Sequence, residues 1–209
     1  LKTKLVPMLF STPMVQAILD GRKTQTRRIM KPQPHADANQ VVRDGEGYWF
    51  DYQSGGGERC LGGKWLPRIQ PGDVLWVRET WCGLPHINER NARETWYYYA
   101  ADGECNEADF NGWKPSIHMP YAACRIWLRV KDVRVDRVQE ISEADAIAEG
   151  CENRASFSYF DPSTRRELRP HQHEYMRLWN SINGDDSWAS NPYVWVYTFE
   201  RCEKPGGAA

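Results

Sequence analysis

The alternation of apolar and polar positions divides the chain into strands, a few short helices and two long irregular stretches. Leu5-Val6-Pro7-Met8-Leu9-Phe10 reads as a first strand. Ser11 or Thr12 then caps a helix over Pro13 to Asp20, with Pro13 in the first turn, where its missing N–H costs little. Met14, Ala17 and Ile18 form its buried face, Leu19 widens it, and Gly21 stands where a helix end favours a left-handed residue. Pro71-Gly72-Asp73 turns into the strongest strand, Val74 to Trp81. Its two-residue period puts Val74, Trp76, Arg78 and Thr80 on one face and Leu75, Val77, Glu79 and Trp81 on the other. Arg125 to Val138 carries two strands' worth of alternation with a break near Asp132. Ser142 and Asp145 make a capping-box pattern, and Ala144, Ile147 and Ala148 stripe a helix that Gly150 ends. A third helix follows Pro170, with Tyr175, Leu178, Trp179 and Ile182 facing the core and Gly184 as its stop. Tyr193 to Phe199 closes the pattern as a strand.

Two insertions interrupt this series, at about 31–71 and 82–120. The first is polar and rich in Pro and Gly, with aromatic islands and room for one hairpin over Val41 to Asp51. A stretch so long in one domain suggests a cover over a pocket. The second holds a strand at Thr95 to Ala100 and a bend at Pro115 to Pro120. Strands outnumber helices without a regular βαβ alternation, so the expected class is α+β, a small mixed or antiparallel β-barrel with a few flanking helices. Residues 1–202 read as a single domain, and 203–209 as a disordered Gly/Ala tail.

Composition narrows the functions open to such a fold. Ten Trp and ten Tyr supply large residues that suit pocket walls as well as cores, while mean hydropathy is only −0.72. A formal net charge of −1 argues against a nonspecific nucleic-acid coat and makes any polyanion contact local. The six cysteines are scattered, with no Cys-x-x-Cys pair, and the histidines complete no zinc spacing. No metal or cofactor is expected, and with no signal-peptide pattern the thiols are expected to be reduced, in a cytoplasm. No apolar run reaches membrane-spanning length, and a monomer is expected.

Against that near-neutral balance, Gly21-Arg22-Lys23-Thr24-Gln25-Thr26-Arg27-Arg28 is a dense run of cations and hydroxyls. This stretch, with Ile18-Leu19-Asp20 before it, Gly72-Asp73-x-Leu75-x-Val77 later, and Ile141-Ser142-Glu143 leading a helix to Glu149, resembles the ASCH domain family. Trp76-Val77-Arg78-Glu79-Thr80-Trp81 and Trp179-Asn180-Ser181-Ile182-Asn183 make it similar to the longer ASCH proteins of phages and prophages. The resemblance implies a PUA-like β-barrel. It also implies one of two activities: RNA binding, or hydrolysis of the N4-acyl group of cytidine nucleosides. In the hydrolytic members a Lys-x-x-Thr pair and a later Glu carry the chemistry, which falls here on Lys23, Thr26 and Glu149, with Glu143 and Glu79 as alternatives for the acid.

The chemistry stands on its own terms as well. Amide hydrolysis needs a nucleophile, a proton acceptor, a donor for the leaving nitrogen and a cation for the oxyanion. Thr26 attacks if Lys23 is neutral, and crowding by Arg22, Arg27 and Arg28 with partial desolvation moves Lys23 that way. Glu149 orients Lys23, protonates the leaving nitrogen or activates water. Arg28 or Arg78 steadies the oxyanion or the ribose. Ser11, Trp76, Arg78, Glu79 and Trp195 complete the expected substrate contacts, Trp76 and Trp195 by stacking on the base. On a regular strand Lys23 and Thr26 would face opposite ways, so the chain is expected to bend just after Gly21. The expected partner is a nucleoside; RNA is the partner on the binding-module alternative.

Overall fold

The computed structural model describes residues 3–53, 59–87, 93–103, 112–152, 158–162 and 164–206. In chain order the elements are β1 (Leu5–Leu9), α1 (Thr12–Leu19), β2 (Gln25–Ile29), β3 (Gln40–Arg43), β4 (Trp49–Gln53) and β5 (Arg59–Trp65). Next come β6 (Val74–Arg78), β7 (Trp81–Ile87), β8 (Arg93–Tyr99) and β9 (Trp127–Arg137). The series ends with α2 (Glu143–Ala148), β10 (Tyr159–Asp161), β11 (Arg166–Leu168), α3 (Pro170–Asn183) and β12 (Tyr193–Cys202). The class is α+β, with strands in the majority. The expected tail falls partly at 207–209, outside the described residues, as does Cys105.

The chain groups into two compact units. The first comprises Leu1–Gly21, Gly72–Val130 and Glu200–Ala209. Here β1 runs parallel to β6, from Leu5 opposite Val74 to Leu9 opposite Arg78. The other edge of β6 pairs antiparallel with the start of β9, placing Trp76 opposite Trp127. Val74, Leu75, Val77, Ile126 and Leu128 are buried along these strands, and Val15, Ala17 and Ile18 are buried on α1. The hairpin β7–β8 adds a smaller cluster in which Trp81, Met119 and Ala123 pack with Tyr97 and Tyr99.

The second unit comprises Arg22–Pro71 and Lys131–Phe199. β12 pairs antiparallel with β2, setting Thr26 opposite Tyr197 and Arg28 opposite Trp195. Its core joins Val138, Ile141 and Ala146 to Tyr175 and Trp179 of α3, Trp188, and Val194 and Val196 of β12. β3, β4 and β5 form a separate antiparallel sheet, and β10 pairs with β11.

Several expectations change. None of the sheets among the described residues closes into a barrel. The expected barrel therefore gives way to open sheets. Residues 31–71 contain the foreseen hairpin as β3–β4, extended by β5 rather than left irregular. Residues 82–120 contain most of the β7–β8 hairpin. Arg125 to Val138 yields one long strand instead of two. Its alternation slips where Lys131 and Asp132 are both exposed, at the point where the chain passes from one unit's core to the other's.

Candidate functional site

The basic turn is built by two local devices. Gly21 ends α1 with φ of +76°, the left-handed conformation its position called for. Thr24 then divides its backbone bonds: its N–H donates to Ala148 O at 2.8 Å, and its carbonyl accepts from Phe199 N at 2.9 Å. The regular strand begins only at Gln25. Lys23 therefore precedes the strand, in an irregular segment between α1 and β2.

From there the Lys23 side chain reaches the end of α2. Its Nζ donates to Glu149 Oε2 at 2.7 Å and to the Glu149 carbonyl at 2.8 Å. Lys23 is 2% exposed and Glu149 3%. Glu149 caps the C-terminus of α2 and Gly150 follows with φ of +85°, so the helix end aims this carboxylate inward. Burial pulls the Lys23 amine below its ordinary range, against the attraction of Glu149, and Arg28 pushes it further down.

Alternation along β2 sends Arg27 to one face and Thr26 and Arg28 to the other. Arg27 Nη1 donates to Glu149 Oε1 at 3.1 Å, so each carboxylate oxygen accepts from a different cation. Arg27 Nη2 lies 3.2 Å from Asp145 Oδ2 and 3.9 Å from Asp136 Oδ2. Arg134 completes the chain, donating to Asp136 and Asp145, each at 3.0 Å. Arg27 and Arg134 hold Asp145 below its usual range, outweighing the upward effect of partial burial.

On the opposite face, Arg28 Nη1 donates to Thr26 Oγ1 at 2.9 Å. Thr26 is 1% exposed, whereas Arg28 is half-buried. Burial raises the Tyr197 phenol opposite Thr26 to about 12, with Arg28 pulling it back. Burial also raises Tyr175 well above its ordinary value, and the Glu149 charge adds to that.

The structure thus brings Lys23 to Glu149 and Thr26 to Arg28. Trp195 lies on β12 opposite Arg28, 8% exposed, with its ring edge-on to Trp49 at 6.0 Å. Ser11, Trp76, Arg78 and Glu79 belong to the first unit. Ser11 precedes α1 without a side-chain capping bond. Arg78 donates to the Ile117 carbonyl and lies over the Trp76 ring, whose other neighbour is Tyr121. Glu79 is 1% exposed and bound through both oxygens by Arg125 at 3.0 Å, which commits it to a structural ion pair. Glu143, the other alternative acid, instead meets His171 Nδ1 at 2.6 Å and accepts from the first N–H groups of α3. Arg22, expected to crowd Lys23, faces outward to Glu152 at 3.6 Å.

Asp136 and Arg134 are new to the site, and Arg27 and Asp145, expected to crowd Lys23 and to cap α2, also meet each other and Glu149 through Arg27. The helical i, i+4 spacing of Asp145 and Glu149 was the available signal. Among the described residues no group of three or more His, Cys, Asp or Glu side chains is placed to hold a metal ion. Among the described residues no helix is long and apolar enough to cross a membrane.

No family model matches the chain, and no curated protein matches it. Among solved structures it is similar to protein EF3133 from Enterococcus faecalis V583, of family model DUF984. That similarity has 10% identity over 100% of this chain and 86% of the other, with a TM-score of 0.39.

Proposed function

We propose that this chain is an ASCH-type, PUA-like amidohydrolase that removes the N4-acyl group from N4-acylcytidine nucleosides. The observation that carries this reading is the buried contact of 2.7 Å between Lys23 Nζ and Glu149 Oε2. These are the lysine and the glutamate that the resemblance assigns to catalysis. A neutral amine keeps two N–H donors and one lone pair. The Glu149 carboxylate and carbonyl accept two N–H bonds from Lys23, which leaves a neutral Lys23 its lone pair as base.

Lys23 takes the proton of Thr26 Oγ1 as that oxygen attacks the acyl carbon. Arg28 transfers its hydrogen bond from the threonine hydroxyl to the carbonyl oxygen, where negative charge develops. Collapse breaks the carbon–N4 bond, Lys23 returns its proton to N4, and cytidine leaves. Water then attacks the threonyl ester with Lys23 again as base, releasing the carboxylic acid and restoring Thr26. Thr26 is 1% exposed and its hydroxyl accepts from Arg28, so release of that hydrogen bond to substrate is part of the proposed binding step.

The test is turnover of N4-acetylcytidine to cytidine, followed by ultraviolet absorbance. Wild type is expected to turn over, with activity rising as pH climbs through the depressed Lys23 titration. Lys23→Ala is expected to lose about 10²–10⁴-fold in kcat, the range of general acid–base catalysis. Absence of turnover across several acyl groups refutes the enzyme reading. Wild-type turnover in Thr26→Ala removes threonine as nucleophile. A second reading, a nucleobase- or RNA-binding module without catalysis, is favoured by the engagement of the Thr26 hydroxyl with Arg28. Cytidine binding without turnover would select it.

A further inference from the structure

Arg27 is the least explained charge in the molecule. Its side chain has no exposed surface, yet Nε and Nη2 make no well-formed hydrogen bond among the described residues. Nη1 bonds Glu149 and, at 3.4 Å, Gln25. A buried guanidinium that leaves donors unsatisfied costs folding free energy, and a hydrophobic residue of similar volume serves stability as well or better. Its placement between Glu149 and the Asp145–Asp136–Arg134 cluster therefore calls for another role.

The cluster is a single line of alternating charge within the second unit. Lys23 bonds Glu149 Oε2, Arg27 bonds Glu149 Oε1, Arg27 approaches Asp145 and Asp136, and Arg134 bridges those two aspartates. It begins at a fully buried lysine and ends at an arginine whose side chain is 32% exposed. Every carboxylate in it is shared between cations.

We propose that Arg27 is the positioning residue of the Lys23–Glu149 pair. By holding Oε1 it turns the carboxylate so that Oε2 meets Lys23, and it couples that pair to the charge on Arg134. The inference rests on the proposed function for its catalytic meaning, but the coupling is a property of the fold. The groups facing Lys23 are Glu149 and Cys151 at the end of α2 and Arg28 on β2. Arg27 acts through Glu149. Removing its positive charge lets Glu149 attract the Lys23 proton more strongly.

The experiment reads Lys23 directly by NMR titration of the full chain carrying isotope-labelled lysine, with Lys23→Arg assigning the signal. In Arg27→Gln the Lys23 midpoint is expected to rise by about one pH unit, the scale of a neighbouring charge. Arg27→Lys is expected to recover part of that shift. Arg134→Gln alters only the partly exposed end and is expected to give a smaller rise in the same direction. The pH–rate profile on N4-acetylcytidine is expected to move with the midpoint. An unmoved midpoint in Arg27→Gln overturns the proposal, as does an unmoved midpoint in Arg134→Gln where Arg27→Gln does not fold. A shifted midpoint without turnover supports the coupling and refutes the enzymatic reading alone.

Discussion

Breaking the Lys23–Glu149 pair from both sides at once should cost far less than the two single breaks added together. The two side chains are 0% and 2% exposed and meet at 2.7 Å. Lys23→Met leaves Glu149 with Arg27 alone, and Glu149→Leu strands Lys23 while depriving Arg27 of its contact at 3.1 Å. Each single change leaves a buried charge short of a partner, worth about 3–5 kcal/mol. In a chain of this length that lowers Tm by about 6–20 °C, at about 2–4 °C per kcal/mol. In the double variant no ammonium is stranded, and Arg27 keeps Asp145 at 3.2 Å. Its total cost is expected near that of one single, a coupling of about 3–5 kcal/mol. Urea denaturation at pH 7, read by Trp fluorescence and far-ultraviolet circular dichroism, measures all four proteins, with coincident transitions and a constant m-value as the condition for comparison. If the double variant equals the sum of the singles within about 0.5 kcal/mol, the two groups are independent and the reasoning fails.

Two further outcomes follow from other parts of the second unit. A Cβ on Gly63 would stand inside the Trp65 ring and 2.8 Å from Asp51 Oδ1, while the Trp65 indole N–H is tied to Pro32 O at 3.0 Å. Gly63→Ala is therefore expected to lower stability by about 1–3 kcal/mol in urea denaturation, and a neutral result would show that the β4–β5 sheet gives way easily. Burial, with help from Glu149, raises the Cys151 thiol from 9.0 to about 12. The folded chain then keeps a proton that the unfolded chain releases, so this group's stabilising contribution is present below pH 9.0 and lost as pH rises toward about 12. Cys151→Ala should flatten the fall of stability in that window by up to about 1.4 kcal/mol per pH unit; an unchanged slope counts against it.

What could be seen in the sequence depended on whether an element had one apolar face. α1, β6, α3 and β12 each bury large apolar residues and lie close to where periodicity placed them, although Ile182 of α3, expected to face the core, is exposed. β3 and β5 are mostly exposed, so their alternation carries no apolar signal, and only the Trp49-Phe50 island announced a hairpin there. β9 was divided because its burial phase shifts at Lys131 and Asp132. For the site, motif spacing led to Lys23 and to Glu149, and the structure joins them. The Trp76–Arg78–Glu79 face is ambiguous in the sequence for a physical reason. A polar residue on a strand reads the same whether it lines a site or closes an ion pair, and the partner of Glu79 is Arg125, far along the chain.

The division of labour along β2 follows from the same alternation. Arg27 and Arg28 are adjacent and chemically identical, yet the strand turns one inward to Glu149 and the other to the Thr26 hydroxyl. The inward arginine has no exposed side-chain surface and is fixed among carboxylates, so it tunes charge without meeting a ligand. The outward one is half-buried, and burial lowers its hold on its proton despite the Glu149 charge. A half-buried guanidinium whose partners are a hydroxyl and a backbone carbonyl exchanges the hydroxyl at less cost than Arg27 leaves Glu149, a charged partner. Arg28→Lys should therefore raise KM and depress turnover with little loss of stability, and Arg27→Lys should do the reverse. Steady-state kinetics beside urea denaturation separates the two, and equal stability losses in both variants would refute this division.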